Sequence, residues 1–336
     1  MTLPSSGAGI DRPDVSIIVV SYCTRDMTLA CLESILRETR DVRYEVLVVD
    51  NASSDGSAEA IASAFPQFRL FALQSNLGFA VANNLAAQHA RGEYLLLLNP
   101  DTIVLDRAID KLLAFARLQT EAGIWGGRTV YADGQLNATS CWGRMTIWSL
   151  TCFALGFTKA FAASRFLNPE AMGTWKRDTV RSVDIVTGCF LLIGQRLWQQ
   201  LDGFDPTYFM YGEEADLCLR ARALGANPMI DPDATIVHYG SASDTSTSAK
   251  RVKVFTGKVT LMRQHWSPVS VQIGILTLSM ACLVRAIAYR LVGEILKRPE
   301  TIRRGQEWHD TWKRRAQWAP GYKTVQRTPM NQAGVG

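Results

Sequence analysis

The first 120 residues alternate between short apolar runs and segments whose apolar side chains recur every three or four positions. The short β-branched runs indicate buried strands, and the longer spacing indicates helices that pack on a sheet. This alternation predicts right-handed βαβ units and a Rossmann-like sheet of parallel strands. The predicted strands are residues 15–20, 44–49, 69–73 and 94–98, and the predicted helices include residues 29–36, 61–65, 80–90 and 109–118.

Polar residues follow three of these strands at the point where each strand ends. Ser21 and Tyr22 follow the first strand, Asp50 follows the second, and Asn99 and Asp101 follow the fourth. In parallel sheets, ligands bind beyond the carboxyl ends of the strands, where the strand order switches. The sequence therefore predicts a nucleotide site at this edge of the sheet.

The second half of the chain is less regular. Residues 123–130 and 183–193 predict two further strands, and residues 216–224 predict a helix that Gly225 stops. A Trp- and Phe-rich stretch, residues 141–175, separates the two strands and shows no period. The predicted fold class is α/β, with a mixed central sheet and a C-terminal helical segment.

Three carboxylates stand within four positions at the start of that helix: Glu213, Glu214 and Asp216. Like charges this close repel one another unless something offsets them. Such clusters serve metal binding, acid–base chemistry or helix capping. The cluster alone leaves all three roles open.

Each polar motif, taken singly, also has a purely structural interpretation. Asp50 would cap the turn after its strand, and Asn99 to Asp101 would form a strand-to-helix connection. Asn76 would lie in a loop that enters a helix, and His238 would be a hydrogen-bonded histidine near a strand end. The order and spacing of the motifs favour a functional interpretation.

As a set, the motifs resemble the family 2 glycosyltransferases of the GT-A fold, and within them the bacterial rhamnosyltransferase-like branch. The similarity covers residues 15–240 and is specific because seven motifs occur in the family's order. The motifs are residues 15–22 (VSIIVVSY), 48–57 (VVDNASSDGS), 76–84 (NLGFAVANN), 97–101 (LLNPD), 187–193 (TGCFLLI), 203–206 (GFDP) and 211–220 (YGEEADLCLR).

The resemblance implies which residues hold the nucleotide-sugar donor. Ser21, Tyr22 and Asp50 match the positions that hold the nucleotide base in the family. Asn76 and Gly78 match a loop on the donor side.

The resemblance also implies a divalent cation, Mg²⁺ or Mn²⁺, held against the donor diphosphate by an Asp-x-Asp motif. This chain has Asn99 in place of the first Asp, so Asp101 is the expected principal ligand and Asn99 offers only an uncharged oxygen. His238 matches the position of a third ligand, and an imidazole favours Mn²⁺ slightly.

The family's general base corresponds to Glu214, where this chain has Glu in place of the usual Asp. The base would take a proton from the acceptor hydroxyl, and a single displacement would invert the anomeric centre. Glu213 would raise the pKa of the pair. Asp216 is expected to be the N-cap of the helix or to orient the glutamates.

Length and composition predict one large α/β domain with an appendage. We expect a flexible segment at residues 1–14 and a glycosyltransferase domain at 15–245, with a nucleotide-binding half up to residue 120 and an acceptor half after it. A basic helical segment at 246–320 and a flexible tail at 321–336 would follow. Seven scattered cysteines indicate reduced thiols in the cytoplasm, and the first residues lack the pattern of a secretory signal.

The net charge of +5 is concentrated at the end of the chain. From residue 285 onward, 11 Lys and Arg stand against 4 Asp and Glu. The apolar run 269–284 is shorter than the roughly 20 residues that cross a bilayer. Basic residues mixed with Trp308, Trp312 and Trp318 favour peripheral attachment to the inner face of the cytoplasmic membrane. The alternative is a helical hairpin packed on the catalytic domain or on the second subunit of a homodimer. No nucleic-acid motif accompanies the charge.

The expected function is an inverting, metal-dependent glycosyl transfer in cell-surface polysaccharide synthesis. The donor would be a nucleotide sugar, with dTDP-rhamnose the first candidate, and the acceptor a saccharide on a polyprenyl diphosphate. Two alternatives stay open: a glycosyltransferase with a soluble or protein acceptor, and a non-catalytic scaffold that retains the fold. The departures at Asn99 and Glu214 leave room for the scaffold.

Overall fold

The four strands that the apolar runs of the first 120 residues predict are present and lie in one sheet. The computed structural model describes residues 12–240 and 247–325. In these residues the strands are β1 (Val15–Ser21), β2 (Tyr44–Asp50), β3 (Arg69–Ala72), β4 (Tyr94–Leu98), β5 (Thr102–Val104), β6 (Ile124–Val130), β7 (Cys141–Trp142), β8 (Arg181–Ser182), β9 (Ile185–Val186), β10 (Phe190–Gly194) and β11 (Met229–His238). The α-helices are α1 (Arg25–Glu38), α2 (Ser57–Ala64), α3 (Phe79–Ala87), α4 (Ala108–Leu118), α5 (Ile147–Ala154), α6 (Phe157–Ala160), α7 (Gln195–Gln200), α8 (Glu213–Ala223), α9 (Thr247–His265), α10 (Pro268–Ile295), α11 (Pro299–Lys313) and α12 (Arg315–Trp318).

The sheet is mixed, as predicted. Across the described ranges its nine strands follow the order β3-β2-β1-β4-β10-β6-β11-β5, and β8 pairs with β11. The strands β1 to β4 are parallel to their neighbours within the group. β10 runs antiparallel between β4 and β6, so it joins the two predicted halves into one sheet. The carboxyl ends of β1, β2 and β4 therefore meet at one edge.

Both faces of the sheet are buried, which explains why its strands are continuous apolar runs. Ile17 and Val19 of β1 pack with α1, α2 and α4 on one face. Ile18 and Val20 face the other way and join a core that contains α3, α8 and the C-terminal helices. Because successive side chains of a strand point to opposite faces, each face needs its own helical cover.

The structure departs from the predicted strands in two places. The predicted strand 183–193 is two strands, β9 and β10, because the hydroxyl of Thr187 donates to the carbonyls of Thr139 and Ser140 and turns the chain. β5 was not predicted, since three residues carry no detectable period. Leu118, the last residue of the predicted helix 109–118 and of α4, is 81% exposed.

The stretch without a period, residues 141–175, forms β7, α5 and α6 and a loop that follows them. Arg177 holds this loop although it is a charged residue that is only 1% exposed. Its guanidinium donates to the carbonyls of Trp175, Ala138 and Ala171. Backbone carbonyls bonded by one buried cation replace the regular ladder that a period would have revealed.

The C-terminal helices pack on the catalytic part of the chain. Trp318, predicted to lie on lipid, is fully buried, and Trp308 and Trp312 pack partly buried against the same core. The guanidiniums of Arg251 and Arg285 lie over the ring of Trp308. The tryptophans therefore stabilise a helical hairpin against the domain, which corrects the prediction of a lipid-facing Trp surface.

The apolar run 269–284 belongs to a longer helix than the sequence predicted. α10 has 28 residues, and among the described helices it is the one long and apolar enough to cross a membrane by length and composition. One third of its most apolar window is buried inside the protein.

The predicted flexible ends fall mostly outside the described residues. Within them, Asp14 accepts hydrogen bonds from Arg43 and Arg117. The hydroxyl of Tyr322 donates to the carbonyl of Met210. Residues at both edges of the described chain are thus bonded to the domain.

Candidate active site

A cleft of about 550 Å³ opens at the carboxyl ends of β1, β2 and β4, and the first turn of α8 closes its other side. This is the edge at which the sequence predicts a nucleotide site. Most of the predicted site residues line it: Tyr22, Asn76, Gly78, Asn99, Asp101, Glu213, Glu214 and His238.

The donor-side loop is fixed by a pair of asparagines. Asn51 follows β2, and its Nδ2 donates to Oδ1 of Asn76, while its own Oδ1 accepts from the backbone of Leu77. Gly78 has a φ of 81°, and a Cβ there would lie 2.5 Å from the carbonyl oxygen of Phe209. A side chain at Gly78 would therefore separate this loop from the segment that leads to α8. Gly78 is one of the predicted donor-side residues, and Asn51 stands beside Asp50 in the motif 48–57, at the edge predicted to bind the nucleotide.

The two residues predicted to hold the nucleotide base from β1 and β2 differ in their surroundings. Ser21 is fully buried, and its hydroxyl pairs with the hydroxyl of Thr28, so it supports the cleft wall and does not line it. Asp50 is also buried, and its Oδ2 accepts from the backbone of Ser53. Its Oδ1 has no hydrogen-bond partner among the described residues. An unpaired buried acceptor is costly unless a ligand supplies a donor.

Asp101 and His238 meet because β5 pairs with β11. Thr102, the residue after Asp101, is opposite His238 in this antiparallel pair. The backbone of Tyr239 donates to the carbonyl of Asp101. Nε2 of His238 lies 3.5 Å from Oδ1 of Asp101. The short strand that the sequence did not reveal therefore brings together two residues that are 137 positions apart.

These two side chains fit a divalent cation. Adjacent ligands of one octahedral ion are on the order of 3 Å apart, close to the separation observed here. Carboxylate and imidazole together suit Mn²⁺ or Mg²⁺, and Asn99 lines the same part of the cleft. The described residues contain no group of three or more His, Cys, Asp and Glu side chains that could hold an ion. A cation here would leave most of its coordination positions to a diphosphate and water.

The protonation of His238 responds to the same neighbours. Burial lowers the pKa of its imidazole, but Asp101 and Cys189 raise that pKa by more, to about 10. A cation and a proton compete for an imidazole nitrogen, so cation binding would release the proton.

Glu213 and Glu214 occupy the first two positions of α8, after Gly212. Burial raises the pKa of Glu213 well above its usual value, and the adjacent Glu214 raises it further. Burial also raises the pKa of Glu214, while backbone N–H groups at the helix start lower it. Oε2 of Glu213 is buried without a partner among the described residues. The cleft thus contains a pair of carboxyls suited to accept a proton.

Asp216 is neither the N-cap of α8 nor a lining residue, which corrects the first of its predicted roles. The N-cap is Gly212, and Asp216 lies in the first turn. Its Oδ2 accepts from Nε of Arg220 at 2.7 Å, and its Oδ1 is 2.9 Å from Nε2 of His265 in α9. Asp216 therefore connects the helix of the two glutamates to the C-terminal helices.

The cleft is also lined by four aromatic residues and one lysine that were not predicted as site residues. They are Tyr131, Trp142, Tyr211, Tyr239 and Lys250. Trp142 lies in the stretch without a period, which gave no signal for a site.

The fold has a counterpart among solved structures. The mannosyltransferase PcManGT from Pyrobaculum calidifontis, in complex with GDP-Man and Mn²⁺, superposes with a TM-score of 0.55 at 18% identity, over 91% of this chain and 87% of that one. This likeness establishes the fold, which is GT-A with an added C-terminal helical segment.

Residues 16–172 match the sequence profile of glycosyl transferase family 2. The O-antigen biosynthesis protein RfbC of Myxococcus xanthus is 27% identical over 69% of this chain, and the chain spans only 18% of RfbC. The N-acetylglucosaminyl-diphospho-decaprenol L-rhamnosyltransferase of Mycobacterium tuberculosis is 28% identical, over 59% of this chain and 67% of that protein. Over the matched residues the chain is thus similar to family 2 glycosyltransferases, and its relatives include proteins named as rhamnosyltransferases.

Proposed function

We propose that this chain is an inverting glycosyltransferase that moves a sugar from a nucleotide-sugar donor to a lipid-linked saccharide in polysaccharide synthesis. The observation that carries the proposal is the single cleft lined by both the Asp101–His238 pair and the Glu213–Glu214 pair. One pair suits a diphosphate with its cation, and the other suits removal of a proton from an attacking hydroxyl.

The nucleotide lies at the carboxyl edge of the sheet in this proposal. The free Oδ1 of Asp50 accepts an N–H or O–H of the nucleoside. Tyr22, which is 41% exposed and lines the cleft, offers its ring to the base. The bonded Asn51–Asn76 pair keeps the donor-side loop in place before the donor arrives.

Asp101 and His238 would hold Mg²⁺ or Mn²⁺, with Asn99 beside them, and the ion would neutralise charge on the leaving diphosphate. Glu214 is the proposed base, because it lines the cleft and its pKa is raised toward the range in which a base works best. It takes the acceptor's proton while the acceptor oxygen forms the new bond and the sugar–phosphate bond breaks. A single displacement inverts the anomeric carbon.

The donor and acceptor classes are proposed from the relatives. A relative named as a decaprenol-linked rhamnosyltransferase and another named for O-antigen biosynthesis support dTDP-rhamnose as first candidate donor and a polyprenyl-diphosphate acceptor. An acceptor of that kind places the protein peripherally on the inner face of the cytoplasmic membrane.

Hydrolysis of a panel of nucleotide sugars, measured with Mn²⁺ and after its removal by EDTA, tests this proposal. We expect one donor to be hydrolysed faster than the rest, with activity lost in EDTA and restored by Mn²⁺. Absence of binding and hydrolysis for every donor would instead support a non-catalytic scaffold.

A further inference from the structure

One face of α10 is an uncovered apolar stripe. It consists of the Val, Ile, Leu and Met side chains at positions 269, 273, 276, 280, 284, 287, 291 and 295, spaced three or four residues apart. Val269, Leu276, Ile287 and Ile295 are 70%, 63%, 59% and 76% exposed. At 1.5 Å per residue the stripe is roughly 40 Å long. Exposed patches of this kind mark interaction surfaces.

In the described residues, the opposite face of the same helix packs against the protein. Its buried positions include small residues that let neighbouring helices approach closely: a Cβ on Gly293 would lie 2.7 Å from Ile302 of α11. Leu278 and Cys282 belong to the core that contains Trp318. Most of the helix surface is apolar, but the protein covers it on one side only. The side chains of the stripe are therefore not needed to pack the helix against the rest of the chain.

Charge decides which partner fits the stripe. Arg290 beside the stripe is 73% exposed at its side chain, and Lys297 and Arg298 at its end are exposed. Arg303 and Arg304 of the following helix are also exposed. A second copy docked through the same face would add a second excess of positive charge and no complementary charge, since two-fold interfaces pair identical patches. An anionic lipid surface attracts these basic residues instead.

The contacts of α10 also decide how it would meet a bilayer. α10 packs beside α11, and Arg290 pairs with Glu294 at the border of the stripe. A transmembrane position would take these charges and α11 into hydrocarbon, at a high cost. A helix with one apolar face and basic neighbours lies in the plane of the interface.

We propose that the α10 stripe docks flat on an anionic bilayer, with its apolar side chains between the lipid headgroups. The biological role of this contact rests on the proposed function, because a lipid-linked acceptor lies at the membrane. The stripe is then the surface through which the enzyme reaches that acceptor. The Trp residues of α11 and α12 take no part in the contact, because they are packed against the protein core.

Vesicle flotation of the full chain tests the proposal, with phosphatidylcholine vesicles that contain or lack phosphatidylglycerol. The double variant Leu276→Gln/Ile287→Gln removes two exposed side chains from the middle of the stripe. We expect its partition coefficient to fall at least about tenfold, from the transfer free energy of two aliphatic side chains. Leu118→Gln/Val180→Gln, which changes two exposed residues elsewhere, should float like the wild type. Arg303→Gln/Arg304→Gln should weaken binding only to anionic vesicles, by about fivefold per charge.

Two kinds of outcome overturn the proposal, one in flotation and one in sedimentation. One is flotation of the stripe variant at the wild-type level, or no flotation of the wild type. The other is a wild-type dimer in sedimentation that the stripe variant converts to monomer, which would assign the stripe to a second copy.

Donor hydrolysis in vesicle-free solution separates this inference from the proposed function. The stripe variant should hydrolyse donor at the wild-type rate, since it leaves the cleft unchanged. A chain that floats through the stripe but hydrolyses no nucleotide sugar would refute the function and leave the inference standing. A chain that hydrolyses a nucleotide sugar but does not float would refute the inference and leave the proposed function standing.

Discussion

The cleft and α10 both contain groups that the described protein leaves without partners, but these groups are polar in the cleft and apolar on α10. In and beside the cleft, buried polar atoms lack partners among the residues that the structure describes; Oδ1 of Asp50 and Oε2 of Glu213 are two of them. Along α10 the unpartnered groups are apolar side chains in solvent, such as Leu276. Unpaired polar atoms require a ligand that donates hydrogen bonds or charge, and uncovered apolar atoms require a surface that excludes water. These needs agree with the proposed nucleotide sugar in the cleft and the proposed lipid contact of α10.

The two regions are joined by the end of α9. Nε2 of Gln264 donates to Oδ2 of Asp205, and the hydroxyl of Tyr208 donates to Oε1 of Gln264. His265 pairs with Asp216 of α8. α10 begins three residues later, at Pro268. The segment that bears the stripe thus starts where the C-terminal helices hold the helix of Glu213 and Glu214.

The largest expected effect is on the cleft side of the comparison. Glu214→Gln should lower kcat for transfer by about 10² to 10⁴, because an amide cannot accept the acceptor's proton. Donor binding, measured by calorimetry, should persist. Glu300→Gln on the exposed start of α11 is the matched control and should leave kcat unchanged. Wild-type turnover in Glu214→Gln would show that Glu214 is not the general base.

Glu213→Gln distinguishes the roles of the two glutamates. Glu214 raises the pKa of Glu213 by charge repulsion. Because repulsion between two charges acts on both, neutralising Glu213 should lower the pKa of Glu214. A base is active when deprotonated, and the rate falls as the pH drops through its pKa. The acid limb of the kcat profile should therefore move to lower pH while turnover persists. Loss of turnover in Glu213→Gln, with turnover retained in Glu214→Gln, would show that Glu213 is the base and that Glu214 tunes its pKa.

The second effect concerns stability and the C-terminal helices. Trp318 is fully buried, its ring is edge-on to Phe255, and its Nε1 donates to the carbonyl of Thr311. Trp318→Ala should lower the free energy of unfolding by about 3–5 kcal/mol, measured in urea. Leu118→Ala, at an exposed position, should change it little. A small effect at Trp318 would mean that the helices are only loosely attached.

The same packing limits what a truncation can show. Deleting residues 269–336 would serve to separate a soluble from a lipid-linked acceptor only if the rest of the chain were unaffected. That deletion removes Trp318 from the core and Tyr322 from the carbonyl of Met210. We expect it to lower activity with any acceptor, so substitutions in the stripe are the cleaner test.

The third effect concerns the cation that Asp101 and His238 are proposed to hold in the cleft. Asp101→Asn should raise the Mn²⁺ concentration required for half-maximal donor hydrolysis at least about tenfold, since it removes the charged ligand. Asp106→Asn nearby, whose side chain is 85% exposed, is the control. An unchanged Mn²⁺ requirement would show that Asp101 does not hold the ion.

The sequence predicts the cleft better than the helices, and the reason is geometric. In parallel strands the end of each apolar run marks one edge of the sheet, so Tyr22 and Asp101 could be placed together without coordinates. The meeting of Asp101 with His238 could not, because it depends on β5, which has three residues. In α10, apolar residues occur on every side, so the pattern does not show which face the protein covers. The tryptophans were misplaced for the same reason: basic and aromatic composition describes a lipid surface and a packed hairpin equally well.

The smallest expected effect tests the connection between the two regions. His265→Ala leaves Asp216 with Arg220 but removes the bond from α9, worth about 1 kcal/mol or more for a charged partner. Because α8 carries both glutamates, a less constrained first turn should lower kcat about three- to tenfold and leave the KM for donor unchanged. His265→Asn, which keeps a hydrogen-bond donor, should restore part of the loss. His89→Ala removes a histidine that is also hydrogen-bonded, to Arg69, outside this connection. Equal kcat values in the two alanine variants would mean that the C-terminal helices stabilise the fold without positioning the base.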